Sequence, residues 1–141
     1  MRVAMDANAL MMPVEAGVRV FDELDRILAS GERSSPGNPS GDEPRGYDAV
    51  VPETVRAELE KLGAGGGEEA TAASVAADLA DRCETVDTEE SYADDALYAL
   101  AVDGDADAVV TNDGPLRERL LDAGVPVIHL RGRNQMTITR P

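Results

Sequence analysis

Short apolar runs, each closed by a charged residue or a turn former, recur along this chain. Val3-Ala4-Met5 stops at Asp6, Tyr47-Asp-Ala-Val-Val51 stops at Pro52, and Asp107-Ala-Val-Val-Thr111 stops at Asn112. Val125-Pro-Val-Ile-His-Leu130 is a fourth. Their length and β-branched content predict buried strands over 2–6, 47–51, 107–111 and 125–130. Residues 84–88 suit a short edge strand, and Met136-Thr-Ile-Thr139 either adds another or packs on the body. Between them the period changes. Val18, Phe21, Leu24, Ile27 and Leu28 are spaced for one face of a helix over 15–30, with Gly31 placed to stop it. Helices also fit 52–62 (Val55, Leu59 and Leu62 inward), 68–82 (Ala72, Val75, Ala76 and Leu79 inward), 92–102 (Ala96, Leu97, Leu100 and Ala101 inward) and 114–123. Residues 31–46 contain no large apolar side chain and many turn formers, so they read as a flexible loop or a tolerated insertion.

Strands alternating with helices imply right-handed β-α-β units. The expected fold is therefore α/β: a three-layer α/β/α sandwich around a central, mainly parallel sheet. At 141 residues the chain reads as one domain over 1–141, with a short C-terminal tail at 131–141. Aromatics make up only 3% and Trp is absent, so Val, Leu and Ala must supply the core. No apolar run approaches the roughly 20 residues of a membrane span. The opening Met-Arg-Val-Ala-Met-Asp lacks the apolar core of a signal peptide. The single cysteine, Cys83, makes no internal disulfide, which suits a reducing, cytoplasmic setting.

The net charge of −15 changes what the surface implies. Acid is spread throughout, and Lys61 is the one lysine among 13 basic residues. This pattern reads as halophilic adaptation to a high-salt cytoplasm, where the Debye length falls to about 3 Å at 1 M. The other reading is an acidic surface that recruits a basic partner. Under salt adaptation the bulk charge does not argue against a nucleic-acid substrate, and local arginines become the guide.

Four acids stand in separate segments where a metal site is expected. Asp6 follows the first strand, at the end of the sheet where ligands collect in open parallel sheets. Glu58 lies at the border of the apolar stripe formed by Val55, Leu59 and Leu62, unlike Glu53 and Glu60. Asp94-Asp95 opens a helix, where one acid can cap while the other, about 100° round, faces elsewhere. Thr111-Asn112-Asp113 places hydroxyl, amide and carboxylate in a row after a strand. Each has a structural alternative: capping by Asp6 or Asn8, a solvated face for Glu58, and an ordinary Asn-Asp-Gly turn at 112–114. An aspartate phosphatase of the haloacid dehalogenase type needs Asp-x-Asp after its first strand. Asp6-Ala-Asn8 lacks that second acid. Carboxylates gathered at one point repel one another, so a cluster implies a cation.

The order Asp6, Glu58, Asp95 and Thr111-Asn-Asp113 resembles the PIN-domain nucleases. They carry Asp at the end of the first strand with Asn, Ser or Thr two residues on, Glu in a Pro-x5-Glu-Leu helix, an Asp opening a later helix, and a Thr-x-Asp turn. Pro52 and Glu58-Leu59 have that spacing. The resemblance runs from Val3 to Leu130. Tyr92-Ala-Asp-Asp-Ala96 and the segment 125–132 look most similar to the small-subunit rRNA-processing branch, with the toxin branch of toxin–antitoxin pairs next. The loop at 31–46 and the acidic balance are departures.

What the resemblance implies is a metal-dependent endoribonuclease acting on single-stranded or structured RNA. Asp6, Glu58, Asp95 and Asp113 would hold one or two Mg²⁺ or Mn²⁺ ions. Asn8, Thr111 and Asn112 would support them or bind water, and Asp94 would be a capping or accessory acid. All-oxygen ligands suit these cations. Implied partners are RNA, a second copy of the chain, and an antitoxin or ribosome-assembly partner; a PIN-like module that binds without turnover is the alternative. Arg131, Arg133 and Arg140, in a tail without acids, are the phosphate-contact candidates. His129 reads as a strand-end residue, and Met11 and Met12 as core or dimer-interface filler.

Overall fold

Arg2–Met5 forms β1, the strand on which the site is built. The structure, a computed structural model, describes residues 1–28 and 47–141. Chain order continues with α1 (Ala7–Glu15), α2 (Val20–Leu28), β2 (Asp48–Pro52), α3 (Glu53–Gly63), α4 (Gly67–Ala80), β3 (Glu84–Val86) and α5 (Ala93–Val102). It ends with β4 (Ala108–Val110), α6 (Gly114–Asp122), β5 (Val127–Arg131) and β6 (Gln135–Thr139). The expected loop at 31–46, with Gly31, lies outside the described residues.

The strands form one sheet in the order β3-β2-β1-β4-β5-β6. All neighbours are parallel except β5 and β6, which form an antiparallel hairpin with Arg131 opposite Gln135 and Val127 opposite Thr139. Val3, Ala4, Met5, Val50, Val51, Val109, Val110, Val127 and Ile128 are fully buried. Covering both faces of the central strands explains why they read as continuous apolar runs rather than alternating ones. Each such Val or Ile contributes about 1.5–3 kcal/mol on burial.

Connections from β1 to β2 to β3 step one way along the sheet, and those from β3 to β4 to β5 step the other way. Right-handed crossovers therefore put their helices on opposite faces, giving the three layers. On one side α4 packs against both α1 and α3; on the other, α5 packs against α6. The reversal leaves a crevice between the carboxyl ends of β1 and β4, the position where open α/β sheets bind ligands.

Two sequence expectations need correction. The helix expected over 15–30 begins only at Val20, as α2, and α1 over Ala7–Glu15 had no counterpart. Ala7, Ala9, Leu10, Met11 and Met12 are buried almost in succession along α1, which blurs an amphipathic stripe, and Pro13 inside it imitates a stop. Gly17, at φ 68°, then turns the chain into α2. The buried face of α4 is Ala72, Ala73, Ala76 and Ala80, with Val75 and Leu79 at its border. Small residues lie where two helices, α1 and α3, press on α4, and the larger apolar side chains flank them. Met11 and Met12 are core, at 5% and 2% exposed, the first of the two places expected for them.

Candidate active site at the carboxyl edge of the sheet

Asp6 continues the β1 ladder through its N–H, which donates to the Val110 carbonyl (3.0 Å), and its side chain then turns into the crevice. Both carboxylate oxygens are engaged. Oδ1 accepts from the Ala7 N–H at 2.7 Å, capping α1, and Oδ2 accepts from the Thr111 hydroxyl at 2.6 Å and from Asn8 Nδ2 at 3.3 Å. The capping reading and the site reading hold together. Burial pushes the Asp6 carboxyl up to about 6, against the pull of the Thr111 and Ala7 hydrogen bonds. The charges of Asp94 and Glu58 push the same way.

The turn after β4 is fastened to both neighbouring strands. The Asn112 N–H donates to Asn8 Oδ1 (3.0 Å), its Oδ1 accepts from the Leu130 N–H (2.8 Å), and its Nδ2 lies 3.1 Å from Met12 Sδ. Asn112 thus ties β1's exit to β5. The Asp113 N–H donates to Thr111 Oγ1 (3.1 Å), and Asp113 Oδ2 accepts from the Leu116 N–H (2.9 Å), capping α6 behind Pro115.

Glu58 projects from α3, and burial followed by the charge of Asp94 raises its carboxyl, with Lys61 opposing. Asp94, in the first turn of α5, is raised by burial and then by Asp113 and Asp95, with Arg119 opposing. Asp94 therefore shares electrostatic contact with Asp6, Glu58 and Asp113. Asp95, the acid that the sequence pattern singled out, accepts from Arg119 at 3.0 Å and lines the groove beside Asp94. Two successive helical residues diverge by about 100°, yet both line one groove: Asp94 lies in the electrostatic neighbourhood of the other acids, and Asp95 is paired with the guanidinium from α6.

Among the described residues no three acids converge closely enough to hold an ion as they stand. The donor set nevertheless fits a hard divalent cation: it is all oxygen, it lies at the sheet mouth, and Asp6, Glu58 and Asp94 are all raised, chiefly by burial and further by the charge of neighbouring acids. Beside the acids runs a groove of about 870 Å³ whose lining includes Thr54, Glu58, Lys61, Tyr92, Asp94 and Arg119. Lys61, Tyr92 and Arg119 were not singled out as site residues. Lys61 had a readable signal, standing one turn beyond Glu58 on the same helix.

The hairpin divides the three tail arginines. Arg131 and Arg133 are exposed at the carboxyl end of β5, the same edge as Asp6. Arg140 follows Thr139, opposite Val127, and stands at the other edge, so the expected cluster of three is a pair. His129 is occupied within the hairpin: Nε2 pairs with Thr139 Oγ1 (2.7 Å), and Nδ1 lies 3.0 Å from the Leu130 carbonyl and 3.3 Å from an Arg117 guanidinium nitrogen. Of the described residues, no helix is long and apolar enough to cross a membrane.

A family model described as a PIN like domain matches residues 3–38 and 45–133. Utp24, described as a PIN domain endonuclease, is similar at a TM-score of 0.73 and 23% identity, over 99% of this chain and 92% of its own. VapBC2 from Rickettsia felis, solved bound to a DNA fragment from their promoter, is similar at a TM-score of 0.58 and 12% identity, over 92% and 98%. No curated protein matches the sequence. At such identities the two structures speak for a common fold. The family match takes in every acid-bearing segment around the crevice, from β1 to α6, and the chain belongs to the PIN-like domain family.

Proposed function

We propose that this chain is a Mg²⁺- or Mn²⁺-dependent endoribonuclease that hydrolyses phosphodiesters of single-stranded or structured RNA, in rRNA processing. The observation that carries the reading is the shared electrostatic neighbourhood of Asp6, Glu58, Asp94 and Asp113 at the sheet's switch point. These four would hold the ion or ions, and Asp95 would keep Arg119 in place. When bound, the cation supplies water activation and neutralises charge developing at phosphorus. The protein's part is positional. Thr111 and the Ala7 N–H hold the Asp6 carboxylate in one orientation. Asn112 fixes the turn that carries Asp113. Lys61 and Arg119 stand in the groove, and Arg131 and Arg133 stand along the same edge, as phosphate contacts.

Support for the rRNA-processing role comes from Tyr92-Ala-Asp-Asp-Ala96 and from the stronger of the two structural likenesses, to Utp24. The antitoxin-controlled reading rests on the weaker one. The net charge of −15 is read as adaptation to high salt, so the test belongs in molar KCl. Labelled single-stranded and structured RNAs are offered with Mn²⁺ to wild type and to Asp6→Asn. Metal-dependent cleavage by wild type alone is expected. If both proteins are folded and neither cleaves any RNA, the nuclease reading falls and a binding module without turnover replaces it.

A further inference from the structure

We propose that Tyr92 is a stacking platform for one unpaired base of the substrate strand, which makes the groove beside the acids a single-strand subsite. The inference rests on the nuclease reading and names the substrate class it would take. The chain has three tyrosines and one phenylalanine. Phe21 and Tyr47 are buried, and Tyr98 lies half-buried beneath the Arg119 guanidinium, 4.2 Å from its ring centre. Tyr92 alone stands out, at 73% exposed, the most exposed large apolar side chain among the described residues. Its backbone carbonyl starts α5 by accepting from the Ala96 N–H, but its side chain caps nothing. Among the described residues the ring has no hydrogen-bond or ring partner.

Its surroundings specify the guest. Met1 and Val102, the other exposed large apolar residues, do not line this groove. Tyr92 shares it with Lys61 and Arg119, cations that suit a sugar–phosphate backbone, and with Thr54, whose hydroxyl is buried without a partner. Glu58 and Asp94 line the same groove, so a base on Tyr92 belongs to a nucleotide near the phosphate at the acids. An aromatic face flanked by cations is the chemistry of single-strand recognition: every base has a π-face, so stacking holds the strand without reading its sequence. A paired base is already stacked within its helix and cannot be offered to the ring. An apolar protein helix, by contrast, would meet five charged side chains in this groove.

The experiment uses the full chain in molar KCl with Mn²⁺ and a single-stranded RNA in which an abasic nucleotide is moved one position at a time. Wild type should show KM raised about tenfold at one position near the cut, with a smaller change in kcat. Tyr92→Ala should show the same rise on the intact strand and no further penalty from the abasic site. Tyr92→Phe should restore the wild-type pattern, and all three proteins should melt alike, because the ring is exposed. In parallel, 2-aminopurine at the same position is followed with cleavage stopped by Asp6→Asn; its quenching should vanish when Tyr92→Ala is added. Cleavage by wild type with KM and quenching indifferent to Tyr92→Ala overturns the stacking role and leaves the nuclease reading standing. Tyr92-dependent quenching without cleavage by wild type keeps the stacking role and removes the nuclease reading. Absence of both cleavage and quenching removes both.

Discussion

Thr111 Oγ1 donates to Asp6 Oδ2 at 2.6 Å, closing a contact between residues 105 positions apart. The bond joins the exits of β1 and β4 at the point where the sheet changes direction, and it orients the most buried acid of the site. Hydrogen bonding to the ionised form lowers a carboxyl's pKa. Thr111→Val keeps the shape and deletes the donor, so the Asp6 carboxyl should rise further above about 6. A hydrogen bond to a charged group is worth about 1.5–3 kcal/mol, which corresponds to roughly one to two pH units. The acid limb of the pH–rate profile should move upward by about that amount; an unmoved limb would show that the bond does not tune Asp6.

Asp6 also makes metal-free stability depend on pH. Its folded-state pKa is raised from 3.8 to about 6, so between those values the folded chain binds a proton that the unfolded chain has released. Stability should therefore be greatest below about pH 4, fall as pH rises through 4 to 6, and level off above. Glu58 and Asp94 are shifted in the same direction. Asp6→Asn removes the largest part of this loss, on the order of 2–3 kcal/mol. Thermal melts in chelator at pH 7.5 should place Asp6→Asn above wild type, with the gap closing near pH 4. Excess Mn²⁺ should narrow the gap by stabilising wild type.

Asp94→Asn and Asp95→Asn separate the two neighbouring acids. The first should lower Mn²⁺ affinity and kcat by about 10²-fold, since it removes a carboxylate facing the other three. The second frees Arg119 and should cost about tenfold or less, an exposed ion pair being worth only about 0.2–1 kcal/mol. Manganese titration of the two variants decides; the reverse order would return the metal to Asp95.

Asn112→Ala should destabilise the protein by about 1–3 kcal/mol, because it leaves the Leu130 N–H without its acceptor in a half-buried place and removes the contact with Met12 Sδ. Amide exchange at Leu130 should quicken more than at Val127, at the other end of the same strand.

Arg131→Gln and Arg133→Gln should each weaken RNA binding and reduce the slope of log K against log salt by about one. Arg140→Gln, at the opposite edge, should leave both unchanged. Equal effects from all three would mean that the strand crosses the whole face of the hairpin.

The legible parts of this molecule were those fixed by local periodicity. Asp6 and Thr111-Asn-Asp113 stood out because apolar runs locate strand ends, and Glu58 because its position beside Val55 and Leu59 sets its direction on α3. Contacts made at a distance were not legible. The pairing of Asp95 depends on an arginine 24 residues away on another helix. Arg140 parts from Arg131 only once the last strand turns antiparallel. α1 escaped because residues buried almost in succession blur the stripe that would mark its period.

That last reversal also decides where the chain's ends lie. Met1 enters β1, and Thr139 leaves β6 opposite the first residue of β5, so both ends emerge at the amino-terminal edge. A tag, a tether or a larger neighbour joined at either end would sit behind the acid-lined crevice, leaving it facing outward. An insertion in the Gly132–Asn134 turn would overhang the opening instead.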